Sequence, residues 1–193
     1  MLSPVTLTGE LVTLEPLRPD HHDALVAAAS DGRLWELWYT SVPSPEGMRA
    51  DIARKLAEPT TLPFTVRRND TGAVVGVTTY LNAEPEVPRL EIGSTWTAAS
   101  AQRTGINAES KLLLLTHAFE ELGCLAVEFR THWHNHQSRT AIARLGAKQD
   151  GVLRNHRRMP DGSLRDTVVF SILDTEWPAV RSGLRYRLDR AGS

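Results

Sequence analysis

The sequence predicts a single α/β domain built on a mixed, largely antiparallel sheet. Three observations carry this expectation. Short segments of strand-like alternation are interleaved with segments of helical periodicity along the chain. Two pairs of strand-like segments are joined by turn sequences that make hairpins. The 193 residues suffice for one well-packed core and fall short of two ordinary domains, so residues 1–193 are read as one domain.

The elements follow in order. "ELVTLEPL" alternates from Leu11 to Leu17 as a half-buried strand, and "PDHHDALVAAA" follows as a helix with Pro19 in its first turn. A second helix is expected to start near Ser44-Pro45-Glu46. Between the two helices lies the aromatic-rich "DGRLWELWYTSVP", read as a mobile cover. "LPFTVRR" and "AVVGVTTYLN" flank the turn "NDTG", and "PRLEIGSTWT" is the next strand. "AQRTGINAESKLLLLTHAFEELG" contains the longest helix, with Leu112, Leu115, Phe119 and Leu122 as its expected buried stripe and Gly123 as its stop. "CLAVEFRT" is a strand, and "NHQSRTAIARLG" is a short helix ending at Gly146. A second hairpin joins "GVLRNHRR" to "LRDTVVFSIL" around "MPDG", and "DTEWPAVRSGLRYRL" closes the chain as a helix capped by Asp174 or Thr175.

Composition narrows the function. Lys plus Arg number 22 against 23 for Asp plus Glu, so no overall field recruits nucleic acid or an anionic membrane. The one cysteine, Cys124, lies in an apolar run and has no partner for an intrachain disulfide, which suits a reducing compartment. Neither a secretory signal pattern nor a run of about 18 apolar residues occurs. A cytoplasmic location is expected.

The loop "QRTG" before the long helix raises the chemical question. The first amides of a helix lack intrahelical acceptors and carry the positive end of its dipole. Thr104 can cap them, or an anion can bind them, with Arg103 adding charge and Gly105 allowing close approach to the backbone. Neither G-x-x-x-x-G-K-[ST] nor G-x-G-x-x-G occurs, which argues against P-loop hydrolases, kinases and Rossmann dehydrogenases.

"QRTGIN" resembles the Gln/Arg-x-x-Gly-x-Gly/Ala pyrophosphate loop of the GNAT acyltransferases. "RLEIGSTW" resembles that family's strand beside the pantetheine arm. "EFRTHWHNHQSRTAIARLGAKQDGVLR" and "DGSLRDTVVFSILDTEW" resemble the later strand, helix and final hairpin of its RimJ/RimL-like branch of ribosomal-protein N-terminal acetyltransferases. The resemblance covers nearly the whole chain. It departs at Asn107, where the general pattern has Gly or Ala, and at His132, where the branch often has a small or acidic residue.

The resemblance implies the GNAT fold, with about seven strands flanked by helices, and acetyl-CoA as cofactor. It implies that backbone groups of Gln102, Arg103, Thr104, Gly105, Ile106, Asn107 and Ala108 hold the pyrophosphate. The strand carrying Ile92, Ser94 and Trp96 would pair with the pantetheine through its main chain, and Asn135 and Ser138 would face the sulfur. Glu91 is the candidate base that deprotonates the amine, against a plainer role as a hydrogen-bonded strand carboxylate. Ser138 is the candidate donor to the departing thiolate, against a bond to backbone in the first turn of a helix. Asn135 is equally an N-cap. Trp35, Trp38, Tyr39 and Asp166 are candidates for the acceptor pocket, with core packing and a surface pair to Arg154 or Arg165 as the alternatives.

His132, His134 and His136 alternate, yet the strand is expected to end there, which separates the rings and disfavours a metal site. The reading is therefore an N-acetyltransferase acting on a primary amine, either a protein N-terminus or a small molecule, by direct transfer in a ternary complex. A catalytically inactive CoA-binding or protein-interaction module is the alternative. Neither membrane nor nucleic acid is an expected partner, and monomer and homodimer both stand.

Overall fold

The computed structural model describes residues 2–159 and 161–191. Its elements are β1 (Leu7–Thr8), β2 (Val12–Pro16), α1 (His22–Ser30), α2 (Met48–Ala57), β3 (Leu62–Arg68), β4 (Val74–Glu84), β5 (Arg89–Thr97), α3 (Ile106–Thr116), β6 (Ala126–His132), α4 (His136–Leu145), β7 (Lys148–Arg158), β8 (Leu164–Leu173) and α5 (Trp177–Ala191). The strands form one sheet of eight in the order β1-β2-β3-β4-β5-β6-β8-β7. Every neighbouring pair is antiparallel except β5 and β6. A parallel pair needs a crossover, and α3 supplies it.

Alternation along the strands assigns the two faces. Phe64 and Tyr80 stack edge to face and point to α3, where the Tyr80 hydroxyl donates to the Leu114 carbonyl (2.6 Å). Thr65 points to the opposite face and meets His21, in the turn that opens α1 (2.7 Å). Helices α3, α4 and α5 pack together on the first face, while α1 and α2 lie with β3 and β4 on the second. The core so enclosed includes Val12, Leu14, Phe64, Val127, Val168, Ile172 and Leu184.

Eight strands are present among the described residues where about seven were expected, the addition being the two-residue β1. The second helix starts at Met48, after a turn at residues 45–47. The buried stripe of α3 is also corrected. Leu114, Leu115 and Ala118 are fully buried against the sheet, whereas Leu112, Phe119 and Leu122 are only partly buried. The reason is α5, which covers the flank of α3: Phe119 stacks on Trp177 at 5.4 Å. The helix continues through a π turn, His117–Glu121, and stops at Gly123 with φ 66°.

One buried carboxylate ties α3 to the start of the sheet. Glu109 accepts the backbone amides of Glu10, Leu11 and Val12 at 2.9, 2.7 and 2.8 Å. Gly9 is required beside it, because a Cβ there would lie 2.5 Å from the carboxyl carbon. Glu109→Ala strands three amides at once, and we expect it to lower unfolding free energy by roughly 3 kcal/mol or more in denaturant titration. A loss under about 1 kcal/mol would show that the junction is not held by this group.

Candidate active site

The parallel pair that α3 connects is short. β5 and β6 are in register only at Arg89–Ala126, Leu90–Val127 and Glu91–Glu128, although β5 runs on to Thr97 and β6 to His132. Beyond Glu91, β5 stays with β4 through Thr79–Gly93 and Val77–Trp96, and β6 stays with β8 through Phe129–Phe170 to His132–Thr167. The sheet therefore opens into a wedge. One backbone edge of Ile92, Ser94 and Trp96 is left for a partner other than β6. A bulge between Gly93 and Trp96, with Ser94 at φ 45°, reshapes that edge.

At the wide end of the wedge stands the N-terminus of α3. Gln102 Nε2 donates to the Thr97 carbonyl (3.0 Å), which ties the loop to the end of β5. Thr104 Oγ1 donates to the Ala101 carbonyl (2.6 Å), and no side chain caps α3. The capping role for Thr104 is thereby excluded. The amides of Ile106, Asn107 and Ala108 keep the positive end of the dipole, with the exposed Arg103 and the left-handed Gly105 (φ 87°) beside them. These features suit the anionic end of a nucleotide cofactor.

On the other arm, Asn135 Oδ1 accepts the Ser138 amide (3.0 Å) and caps α4. The capping reading of Asn135 is therefore realised, and its side-chain NH2 is the group left for a ligand. Ser138 lies half-buried in the first turn, and its amide, not its hydroxyl, makes that bond.

Glu91 stands where the strands part. It is 7% exposed, accepts from Asn82 Nδ2 (2.8 Å) and lies 3.6 Å from Arg130 Nε. Gly93 makes room for it, since a Cβ there would come within 2.8 Å of Glu91 Oε1. Burial pushes the Glu91 carboxyl up from its ordinary value, against opposing effects of Arg130 and the Asn82 bond. Neighbouring Glu128 is engaged by Arg89 and by Arg130 (2.9 Å).

The aromatic segment reaches the same end of the sheet. Trp38 packs on His132 (5.3 Å between rings) and His134 (5.5 Å), with Tyr39 against Trp38 (5.6 Å). His132 is buried, and its Nδ1 accepts the His134 amide (3.0 Å). Desolvation holds its pKa below the usual value, followed by the effect of Arg165. Trp35 instead packs against the core. Asp166 accepts the Asn155 amide (2.7 Å) and pairs with Arg154 (2.5 Å), so its carboxylate is held in a surface ion pair. Tyr80 is fully buried, and its hydroxyl donates to the Leu114 carbonyl.

The acetyltransferase (GNAT) domain profile matches residues 12–148. The chain belongs to the GNAT acetyltransferase family. No curated sequence relative matches it. Among solved structures, an acetyltransferase from T. thermophilus is 35% identical, with 97% of this chain and 99% of that chain covered and a TM-score of 0.87. A GCN5-related N-acetyltransferase from Brucella melitensis is 28% identical, with 97% and 86% covered and a TM-score of 0.88. RimJ of Mycobacterium smegmatis, solved with CoA-disulfide, is 23% identical, with 95% of both chains covered and a TM-score of 0.78, and shows a shared fold. The protein is thus an acyltransferase with acetyl-CoA as its donor.

Lys111 was not singled out from the sequence. It occupies a stripe position of α3, three, four and seven residues before Leu114, Leu115 and Ala118, where a charge on an apolar face was the available signal. Its ammonium is buried and donates to Thr78 Oγ1 (3.2 Å) and Thr95 Oγ1 (3.1 Å), beneath the β5 bulge, with no carboxylate bound. Burial lowers its pKa from 10.5 to about 7. Between these values the unfolded chain holds the extra proton, so stability rises with pH across this window, by up to about 1.4 kcal/mol per pH unit. Below about pH 7 the buried charge costs stability in full. Lys111→Met is expected to remove this slope when unfolding free energy is measured from pH 6 to 9.5. Parallel curves for the variant and parent would show that Lys111 is not desolvated.

Proposed function

We propose that this protein acetylates a primary amine by direct attack on acetyl-CoA in a ternary complex. The acceptor is a protein N-terminal amino group, as in the RimJ-like branch, or a small-molecule amine. Glu91 carries the reading: a buried carboxylate, raised in pKa, placed at the fork of the only parallel strand pair among the described residues. Acetyl-CoA supplies an already activated thioester, which leaves positioning and proton removal to the protein.

The work divides along the wedge. The amides from Arg103 to Ala108 hold the pyrophosphate, and the free edge at Ile92, Ser94 and Trp96 aligns the pantetheine. Asn135 and Ser138, at the start of α4, border the sulfur. Glu91 takes the ammonium proton, its raised pKa bringing it closer to the working pH, while Trp38 and Tyr39 cover the acceptor. A cytoplasmic setting accords with the buried, unpaired thiol of Cys124.

Acetyl-CoA at a hundredfold excess over its dissociation constant is expected to stabilise the native chain by about 2.7 kcal/mol, read as a rise in Tm. Arg103→Glu, an exposed charge reversal, should shrink that rise without lowering the starting Tm. Absence of any shift in the parent would sink the donor site. Glu91→Gln is expected to keep acetyl-CoA binding but to lower kcat by about 10²- to 10⁴-fold and to flatten the acidic limb of the pH profile. Thiol release measured from pH 5 to 9 decides this. An unchanged rate and profile would remove Glu91 as base, and donor binding without turnover of any amine would favour a non-catalytic module.

A further inference from the structure

The charges around Glu91 balance only near the fork. Glu91 and Glu128 are matched there by Arg89 and Arg130. Along the same face the balance fails. Arg165 lies two residues before Thr167, which stands opposite His132, so Arg165 shares the face of His132, Arg130 and Glu91. Arg157 of β7 is the direct cross-strand partner of Arg165. Like charges placed opposite each other repel, and a sheet gains nothing from the pair unless something anionic comes between them.

The neighbouring ion pairs leave both guanidinium groups out. Asp166 is taken by Arg154, and the carboxylates at the fork by Arg89 and Arg130. The hydrogen bond from Arg165 runs from Nε to Thr167 Oγ1 (3.1 Å). Desolvation and the nearby Arg157 lower the Arg165 pKa, while Glu91 opposes them, so all three charges lie within electrostatic reach. Burial and these arginines lower the pKa values of the imidazoles on this side, His132 and His156, which keeps the rings from adding further positive charge. The face thus offers a carboxylate flanked by two uncompensated cations.

We propose that the acceptor carries a carboxylate or phosphate close to its amine, and that Arg157 and Arg165 hold that anion while the nitrogen meets Glu91. This rests on Glu91 receiving the acceptor. A zwitterion fits the charge pattern in one orientation, with its ammonium at Glu91 and its anion between the guanidinium groups. In the transfer, the new C–N bond forms as the C–S bond breaks and its electron pair leaves on sulfur. Nitrogen loses two protons: Glu91 takes the first from the ammonium before attack and returns it to solvent, and the second, released as the amide forms, leaves through solvent to the thiolate, giving the free thiol.

The test compares matched acceptors: β-alanine with β-alaninamide, O-phosphoethanolamine with ethanolamine, and C-amidated dipeptides beginning with Asp or Asn. At least one anionic member is expected to exceed its neutral partner in kcat/KM by about ten- to a hundredfold, mostly through KM. The R157Q/R165Q double variant should lose that preference while keeping its acetyl-CoA-induced rise in Tm. Arg165→Lys should restore part of it. Which pair responds tells carboxylate from phosphate and free amine from peptide. Equal rates within every pair, or a preference surviving in the double variant, overturn the proposal. If no amine is turned over although acetyl-CoA binds, the catalytic reading fails and calorimetry decides the anion site. O-phosphoethanolamine binding that the double variant loses sustains the site, and no binding to the parent overturns it.

Discussion

Everything at the site depends on where the parallel pairing of β5 and β6 stops. Three register pairs hold the strands together, and then each follows its antiparallel neighbour on the other side. The divergence frees a backbone edge inside an otherwise continuous sheet, where a ligand with amide groups can take the place of a strand. It also fixes what stands at each end: α3 leaves from one arm and α4 from the other, so two helix N-termini face the same opening. One terminus is capped by Asn135 and the other is not. That asymmetry separates an arm that finds its hydrogen bonds within the chain from one that looks for an anion.

Buried charge marks the same region from three sides, and each group is held differently. Glu109 is satisfied by three amides and acts as a joint. Glu91 has one amide donor and one nearby guanidinium, an environment that leaves its protonation responsive to the site. Lys111 has only hydroxyl partners and lies under the bulge of β5. Desolvation acts on both Glu91 and Lys111 toward the neutral form, so their titrations move toward the range where proton transfer is useful. Ordinary surface pairs such as Arg154–Asp166 do neither job.

The hairpins were legible in the sequence because turn residues and alternation are local signals, and Gly123 and Gly146 marked helix ends for the same reason. The importance of the loop at Gln102–Gly105 was legible too, although only the structure shows that the Thr104 hydroxyl bonds backward to Ala101 and leaves the helix uncapped. What could not be read is what depends on packing between distant segments. The face that α3 buries is set by α5, nearly sixty residues later, which is why Phe119 meets Trp177 instead of the sheet. Trp38 and Trp35 look alike in sequence, yet one lies on the histidines at the end of β6 and the other packs, partly buried, against the core. The Arg157–Arg165 juxtaposition is a matter of register in a bulged hairpin and has no local signature.

The central claim, that the parted strands and the uncapped helix form one donor site, is tested most directly by residue-resolved amide hydrogen exchange with and without acetyl-CoA. Protection of Ile92–Thr97 along the free edge together with Arg103–Ala108 at the start of α3 is the result this account predicts. No protection in these two segments at a concentration that raises Tm would contradict it.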